Sequence, residues 1–404
     1  MIRASFLAVV LLTLVAWAAP AVAEATPPRP VATDSRLAGD EQRTRLVIDL
    51  TTSTSIKAFT LADPYRVIID LPEVAFRLPE VAGRQGRGLV SAYRFGVFAP
   101  GRSRIVVDVT RPVAIDKAFV LDAVDGQPAR IVLDLTPSDR KTFLQSVAAQ
   151  GPETTGATPP QAKLAEKTDL PVVVIDPGHG GVDPGAAGPN GASEKDIVLA
   201  FAKQLKAKIE ASGRRKAVLT RDDDTFISLP GRVKVARDNA AALMISIHAD
   251  TLTDPFGVRG ATIYTLSSKA SDKEAERLAD KENKADLIAG VDLSDEPEEV
   301  AGILFDLTRR ETTSFTAQFA KMLVRDLKQA AKLNKNPLRS AGFRVLKAPD
   351  VPSVLLELGY LSSKEDAKLL MSDAWRDQAT DAISSAIDRY FETRIAGSTP
   401  GRVN

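Results

Sequence analysis

Apolar and polar positions alternate differently in the two halves of the chain. Between about residues 41 and 137 the apolar residues come in short runs, and one run is written four times. The copies are Arg45-Leu-Val-Ile-Asp49-Leu50, Arg66-Val-Ile-Ile-Asp70-Leu71, Arg104-Ile-Val-Val-Asp108-Val109 and Arg130-Ile-Val-Leu-Asp134-Leu135. Each is a mostly β-branched core between an arginine and an aspartate four positions apart, a spacing that puts both charges on one face of a strand. Turn signals at Ala62-Asp63-Pro64, Ala99-Pro100-Gly101 and Asp125-Gly126 separate the runs. The pattern predicts a small all-β sandwich with internal repetition over 41–137. Its charged faces admit two readings, a polymer-binding surface or cross-strand ion pairs on a solvated face.

Residues 24–40, rich in Pro, Ala and Thr, read as a disordered N-terminus. Residues 138–169, with Pro152, Pro159 and Pro160, read as a flexible linker. From 170 to 393 apolar runs alternate with amphipathic stretches. Strands are predicted at 171–176, near 217–220, up to His248, and at 260–266, 343–347 and 353–358. Helices are predicted at 194–211, near 228–240 and at 313–332. Ile197, Phe201, Leu205 and Ile209 form one stripe, and Phe315, Phe319, Leu323 and Leu327 another. Ser362 with Glu365 reads as a capping box. Such alternation predicts an α/β domain with a mostly parallel or mixed sheet covered by helices on both faces. A tail follows over 394–404. An insert of about 270–311 separates strand 260–266 from helix 313–332. Within it Ser271–Lys284 reads as an exposed charged helix, and Asp292–Glu299 holds five acids. Val300, Ile303, Leu304 and Leu307 then recur at helical spacing.

Composition narrows the setting. A short positive start, the apolar run Phe6–Trp17 and Ala21-Val22-Ala23 form a signal-peptide pattern over 1–23, with cleavage expected between Ala23 and Glu24. The run is too short to span a bilayer, so an exported, periplasmic and soluble mature protein is expected. Cysteine is absent, which removes disulfides, thiolate nucleophiles and thiolate ligands. With 53 basic and 52 acidic residues there is no charge bias towards nucleic acid, and 404 residues allow about two domains.

The chain has two histidines, and both follow apolar, strand-like runs: His179 after Val172–Gly178, and His248 after Leu243–Ile247. Strand C-terminal ends border the crevice of an open α/β sheet, and imidazole is a common metal ligand. The Gly-rich turn Asp176-Pro177-Gly178-His179-Gly180-Gly181 lacks the Gly-Lys-Ser/Thr of a phosphate loop. Glu194 opens the first helix beyond it, either as a dipole-complementing acid or as the carboxylate of a His-Glu-His set. Three such ligands leave a fourth tetrahedral place for water, as in a catalytic zinc site. Glu357 interrupts an apolar strand at its centre, where an unpaired carboxylate is costly. It reads as a buried salt-bridge partner or as a general base beside the metal. Arg232 and Arg237 read as solvated helix-face residues rather than contacts for a substrate carboxylate.

The motifs Val174-Ile-Asp-Pro-Gly-His-Gly-Gly-Val-Asp-Pro-Gly185, Leu219-Thr-Arg-Asp-Asp-Asp224, Ser246-Ile-His-Ala-Asp250 and Pro352-Ser-Val-Leu-Leu-Glu-Leu-Gly-Tyr360 resemble the zinc-dependent N-acetylmuramoyl-L-alanine amidases over about 170–392. Leu358-Gly359-Tyr360 stands where Gly-Phe is more usual. The segment before the linker resembles the AMIN domain of periplasmic members. The resemblance implies one Zn2+ per catalytic domain on His179, Glu194 and His248, and Glu357 as the catalytic glutamate. It also implies hydrolysis of the amide between N-acetylmuramic acid and L-alanine for daughter-cell separation, by a monomer with peptidoglycan as substrate and AMIN ligand. Non-catalytic wall-binding proteins and zinc carboxypeptidases or deacetylases are the rival classes. The insert reads either as a solvated acidic loop leading into a packed helix or as an autoinhibitory element, with the 300–307 helix over the cleft and Glu298 or Glu299 on the zinc; the resemblance to periplasmic amidases implies the second, relieved by a LytM-domain partner at the septum.

Overall fold

The computed structural model describes residues 29–79, 81–149, 170–252, 259–291 and 303–398, without the side chains of Asn190, 303–309 and 395–398. The expected leader, most of the expected linker, Glu298, Glu299 and residues 399–404 lie outside the described residues. Among those described, no helix is long and apolar enough to cross a membrane.

The N-terminal part is built from β1 (Val31–Gly39), β2 (Thr44–Leu50), β3 (Lys57–Leu61), β4 (Arg66–Pro72), β5 (Ala75–Phe76), β6 (Val90–Ala99), β7 (Arg102–Val109), β8 (Val113–Leu121) and β9 (Ala129–Pro137). They form two sheets, β5-β1-β2-β9-β8 and β3-β4-β7-β6. The four copies of the repeated run are β2, β9, β4 and β7, the central pair of each sheet. Antiparallel register sets Arg45 opposite Asp134 and Asp49 opposite Arg130 in one sheet. In the other it sets Arg66 opposite Asp108 and Asp70 opposite Arg104. Period-two alternation sends Leu46, Ile48, Val67, Ile69, Ile105, Val107, Ile131 and Leu133 into the shared core. The charged positions go to the two outer faces. The ion-pair reading holds for half of them: Arg45 meets Asp134 and Arg104 meets Asp70, each at 2.6 Å. Asp49 turns to Arg36 and Asp108 to Arg94 instead.

Two boundaries differ from expectation. Residues 31–39 are not disordered, because β1 docks by a backbone ladder along β2 and needs only Ala32 in the core. The linker begins late, since α1 (Arg140–Ala148) is capped by Asp139 and buries Phe143 against the sandwich.

The C-terminal part runs β10 (Val172–Pro177), α2 (Glu194–Ala211), β11 (Lys216–Leu219), α3 (Leu229–Asp238), β12 (Leu243–His248), β13 (Ala261–Leu266), α4 (Lys273–Glu282), α5 (Ala285–Ile288), α6 (Ile303–Ala330), β14 (Leu333–Ala341), β15 (Ser353–Glu357), α7 (Lys364–Leu370) and α8 (Asp373–Ser398). One mixed sheet has the order β11-β10-β12-β15-β13-β14. The first four strands are mutually parallel and β13 runs antiparallel to β15. Alternate strand residues feed the two faces. Val173, Ile175, Ile245 and Leu356 pack under α2, α6 and α8. Val172, Val174, Met244 and Leu355 pack under α3 and α4.

The strand expected at 343–347 is instead a short 3-10 turn at Arg344–Leu346. The strand is β14, whose polar sequence hides it because it is an edge paired along one side. Ser363, not Ser362, caps α7 and accepts from the Asp366 N–H at 3.2 Å. The Ser362 hydroxyl accepts from the Leu252 N–H.

Candidate metal centre

Three adjacent parallel strands, β10, β12 and β15, end at one place. His248 and Glu357 are the last residues of their strands and lie opposite each other in register. Glu357 is therefore at the strand's end and not its centre as expected. The chain leaving β10 turns through Gly178 to bring His179 alongside. A Cβ on Gly178 would lie 2.4 Å from the His248 ring, so only glycine lets the two imidazoles approach. His179 itself takes φ +60°, a left-handed conformation that costs a non-glycine residue on the order of 1 kcal/mol. Arg232 holds it there by donating to the His179 carbonyl at 2.7 Å.

Four buried donor atoms converge. His179 Nε2 and His248 Nδ1 lie 3.1 and 3.2 Å from Glu194 Oε1. They lie 3.6 and 3.2 Å from Oε2 of Glu282, the last residue of α4. A tetrahedral centre with bonds of about 2.0–2.1 Å has edges of roughly 3.4 Å, and these separations bracket that length. Glu194 is aimed by the Ala249 and Ala186 N–H groups at 2.9 and 2.8 Å. Asp183 Oδ2 lies 2.9 Å from His179 Nδ1, and by accepting that proton it leaves the Nε2 lone pair facing the other donors. His179 Nε2, Glu282 Oε1 and Glu357 Oε1 are buried without a hydrogen-bond partner. His179, His248 and Glu282 form a buried group able to hold a metal ion, and Glu194 Oε1 adjoins both imidazoles.

Electrostatics follow from crowding. Burial lowers the His179 pKa, but the carboxylates of Glu194, Asp183 and Glu282 outweigh it and hold the imidazole well above its ordinary value. Burial raises Glu194, yet the two imidazoles pull it well below the usual range. Glu357 stands well above that range, from burial and then from Glu194, Asp250 and Glu282. Its Oε2 accepts the Asp250 N–H at 3.1 Å.

The sequence-predicted residues His179, Glu194, His248 and Glu357 are thus brought together. Glu298 and Glu299 lie outside the described residues, and the insert's carboxylate at the histidines is Glu282. Its signal was present: Ala275, Leu278, Ala279 and Glu282 are the buried residues of α4, so the glutamate continues an apolar stripe on a helix expected to be exposed. Arg232 is not solvated but 2 % exposed, bound to Asp176 at 2.8 Å and to the carbonyls of Pro177, His179 and Ile227. Arg237 is on the surface and pairs with Asp350.

Comparison with known proteins agrees with this architecture. The N-acetylmuramoyl-L-alanine amidase family matches residues 173–389, and the AMIN domain matches residues 34–135. The chain is 33% identical over 384 residues to the N-acetylmuramoyl-L-alanine amidase AmiC of Neisseria meningitidis serogroup B, covering 91% of each. It is 33% identical over 363 residues to AmiC of Escherichia coli O6:H1, covering 86% of each. Against AmiA of Escherichia coli K12 it is 40% identical over 221 residues, 54% of this chain and 76% of that one. The chain belongs to the N-acetylmuramoyl-L-alanine amidases, as an AmiC-like enzyme with an N-terminal AMIN domain that acts on peptidoglycan.

Proposed function

We propose that this amidase is a zinc hydrolase whose own insert blocks it. The observation that carries the reading is the convergence of two imidazoles and two carboxylates, each imidazole 3.1–3.6 Å from both carboxylates. Two nitrogens with carboxylate oxygen suit zinc, and no thiolate is available to compete. His179, Glu194 and His248 hold the ion. When bound, zinc polarises the scissile carbonyl and brings the pKa of water towards 7. Glu357 takes the proton of the attacking water on Oε1, the oxygen without another partner. As the carbon–nitrogen bond breaks it delivers that proton to the leaving L-alanine nitrogen, freeing the stem peptide from the muramoyl lactyl group.

Glu282 Oε2 stands where the fourth donor belongs and excludes water and substrate while it stays. The enzyme is therefore autoinhibited, and α4 must leave for catalysis. A LytM-domain partner that binds the open state better would shift that equilibrium by its differential affinity. The leader pattern supports export to the periplasm, where gating protects the cell wall. The site of action is the division septum, and the AMIN domain binds peptidoglycan there. The test is Glu282→Ala in the full-length chain with zinc loaded. Release of fragments from dye-labelled sacculi is expected to rise without any partner, and Glu357→Ala in the same background to abolish it with zinc retained. A folded, zinc-loaded Glu282→Ala protein no faster than its parent refutes the block.

A further inference from the structure

The blocking helix is not held by the amidase domain alone. Asn283 and Lys284 connect α4 to α5, and the carbonyls at the end of α5 point at the AMIN sheet β3-β4-β7-β6. Arg66 donates to the Leu287 carbonyl. Arg94 Nε donates to the Ile288 carbonyl at 2.6 Å, and Arg104 Nη1 to those of Gly290 and Ala289 at 2.8 and 3.3 Å. Arg104 is fully buried, fixed by a two-pronged contact with Asp70 at 2.6 and 2.8 Å and lying 3.5 Å over the Phe98 ring. Cations at the final carbonyls of a helix meet both unsatisfied acceptors and the negative end of its dipole.

The contact is apolar as well as polar. Ile68, Val106 and Phe98 pack in one cluster with Ala289 of the insert and with Val182, three residues beyond His179. Gly290, at φ +70°, allows this approach, since a Cβ there would lie 2.6 Å from Ile68 Cδ1. The amidase domain holds the same segment through the Leu229 N–H to Asp286, Asn283 to Gly342 and Arg344, Lys281 to Asp250, and Arg339 to Asp272 and Glu274, with Ala275, Leu278 and Ala279 packed in its core.

We propose that the AMIN domain is the latch of the blocking helix. Its arginines grip the carbonyls of residues 287–290 and, across the few residues back to position 282, keep the glutamate on the metal donors. The inference rests on reading Glu282 as a block. Closure and engagement of this AMIN face by any other ligand then exclude each other, and the two equilibria are linked reciprocally.

The experiment compares three full-length proteins with their parent: Arg94→Gln/Arg104→Gln, Gly290→Val and Glu282→Ala. The glycine variant wedges the interface from the insert side, so it tests the latch without altering the AMIN core. Two readouts are taken, hydrogen exchange of the backbone amides of 273–291 and dye release from labelled sacculi. Both latch variants should exchange faster over 273–291. They should also release dye at least about tenfold faster, which the loss of even one charge-assisted hydrogen bond from the closed state would give; the arginine pair loses those to the Ile288, Ala289 and Gly290 carbonyls, and the glycine variant adds a clash with Ile68. Unchanged exchange over 273–282 in the glycine variant and in a folded arginine variant overturns the latch, even where Glu282→Ala is fast and the block stands. Faster exchange with a slow Glu282→Ala protein keeps the coupling between domains and rejects the block.

Discussion

Replacing Arg232 by alanine tests how the histidine loop is held. The guanidinium is buried and makes four contacts: 2.8 Å to Asp176 Oδ1, and 2.8, 2.7 and 2.9 Å to the carbonyls of Pro177, His179 and Ile227. All three carbonyls lose this donor, and the Pro177 carbonyl alone keeps Arg221 Nε, at 3.1 Å. Asp176 keeps the hydroxyls of Thr220 and Ser246 but loses its counter-ion. Removing one partner of a buried ion pair costs about 3–5 kcal/mol, a large share of the roughly 5–15 kcal/mol that holds a domain together. At about 2–4 °C per kcal/mol for a domain of this size, the melting temperature should fall by roughly 10 °C. Trp375, buried in α8, reads the amidase domain, because the other tryptophan of the chain is Trp17, in the segment expected to be removed as a leader. The pH dependence carries a sign. Burial raises Asp176, but Arg232 and the hydroxyls bring it below its ordinary value. In the parent this contributes stability above the unfolded carboxyl pKa, lost as pH falls through the folded one. Without Arg232 burial dominates, so the deficit should be widest near neutrality and shrink in acid as Asp176 takes a proton. A loss below about 1 kcal/mol at pH 7, or a deficit flat with pH, would refute Arg232 as the counter-ion.

Three further outcomes follow from the same geometry. His179→Ala, Glu194→Ala and His248→Ala should each lose bound zinc on metal analysis, whereas Glu357→Ala should keep it while turnover drops about 10²–10⁴-fold. Zinc loss in the last, with the fold intact, would move Glu357 into the ligand set. Asp183→Ala removes the acceptor that orients His179 and should weaken zinc about 10–100-fold in a competitive chelator titration, an effect that Asp183→Asn partly restores. Gly178→Ala drives a methyl group into the His248 ring and should weaken zinc by a similar factor with circular dichroism unchanged, given about 1–3 kcal/mol for overpacking; unchanged affinity would mean that the imidazole can shift.

What the sequence made legible was periodicity. The repeated Arg–Asp runs became the central pairs of two sheets, and the stripe of Ile197, Phe201, Leu205 and Ile209 became the core face of α2. The candidate site was legible because strand ends carry rare residue types. The buried polar residues of the site stayed hidden for one physical cause, a polar residue at an apolar position. Glu357 was noticed because its strand is apolar throughout. The charged helices around Glu282 and Arg232 make both read as solvated, although each occupies a core position beside Leu278 and Ala279, or beside Leu229 and Val235. β1 and β14 were hidden for a different reason: edge strands are held by backbone ladders, which leave little mark on side-chain pattern.

The duplicated architecture of the AMIN sandwich bears on valence. Its two outer faces carry equivalent rows of arginine and aspartate, one on β2 and β9, the other on β4 and β7. In the closed arrangement the β4–β7 row is occupied within the chain by the insert. Under the proposed block, departure of the insert would uncover the arginines of the β4–β7 row and leave such rows exposed on both faces, back to back. Opposite faces of a sandwich cannot lie on the same stretch of glycan. On the function proposed above, opening would turn a domain that rides one strand into a bridge between two, so the same movement that uncovers the metal donors would also slow the enzyme's travel through the wall.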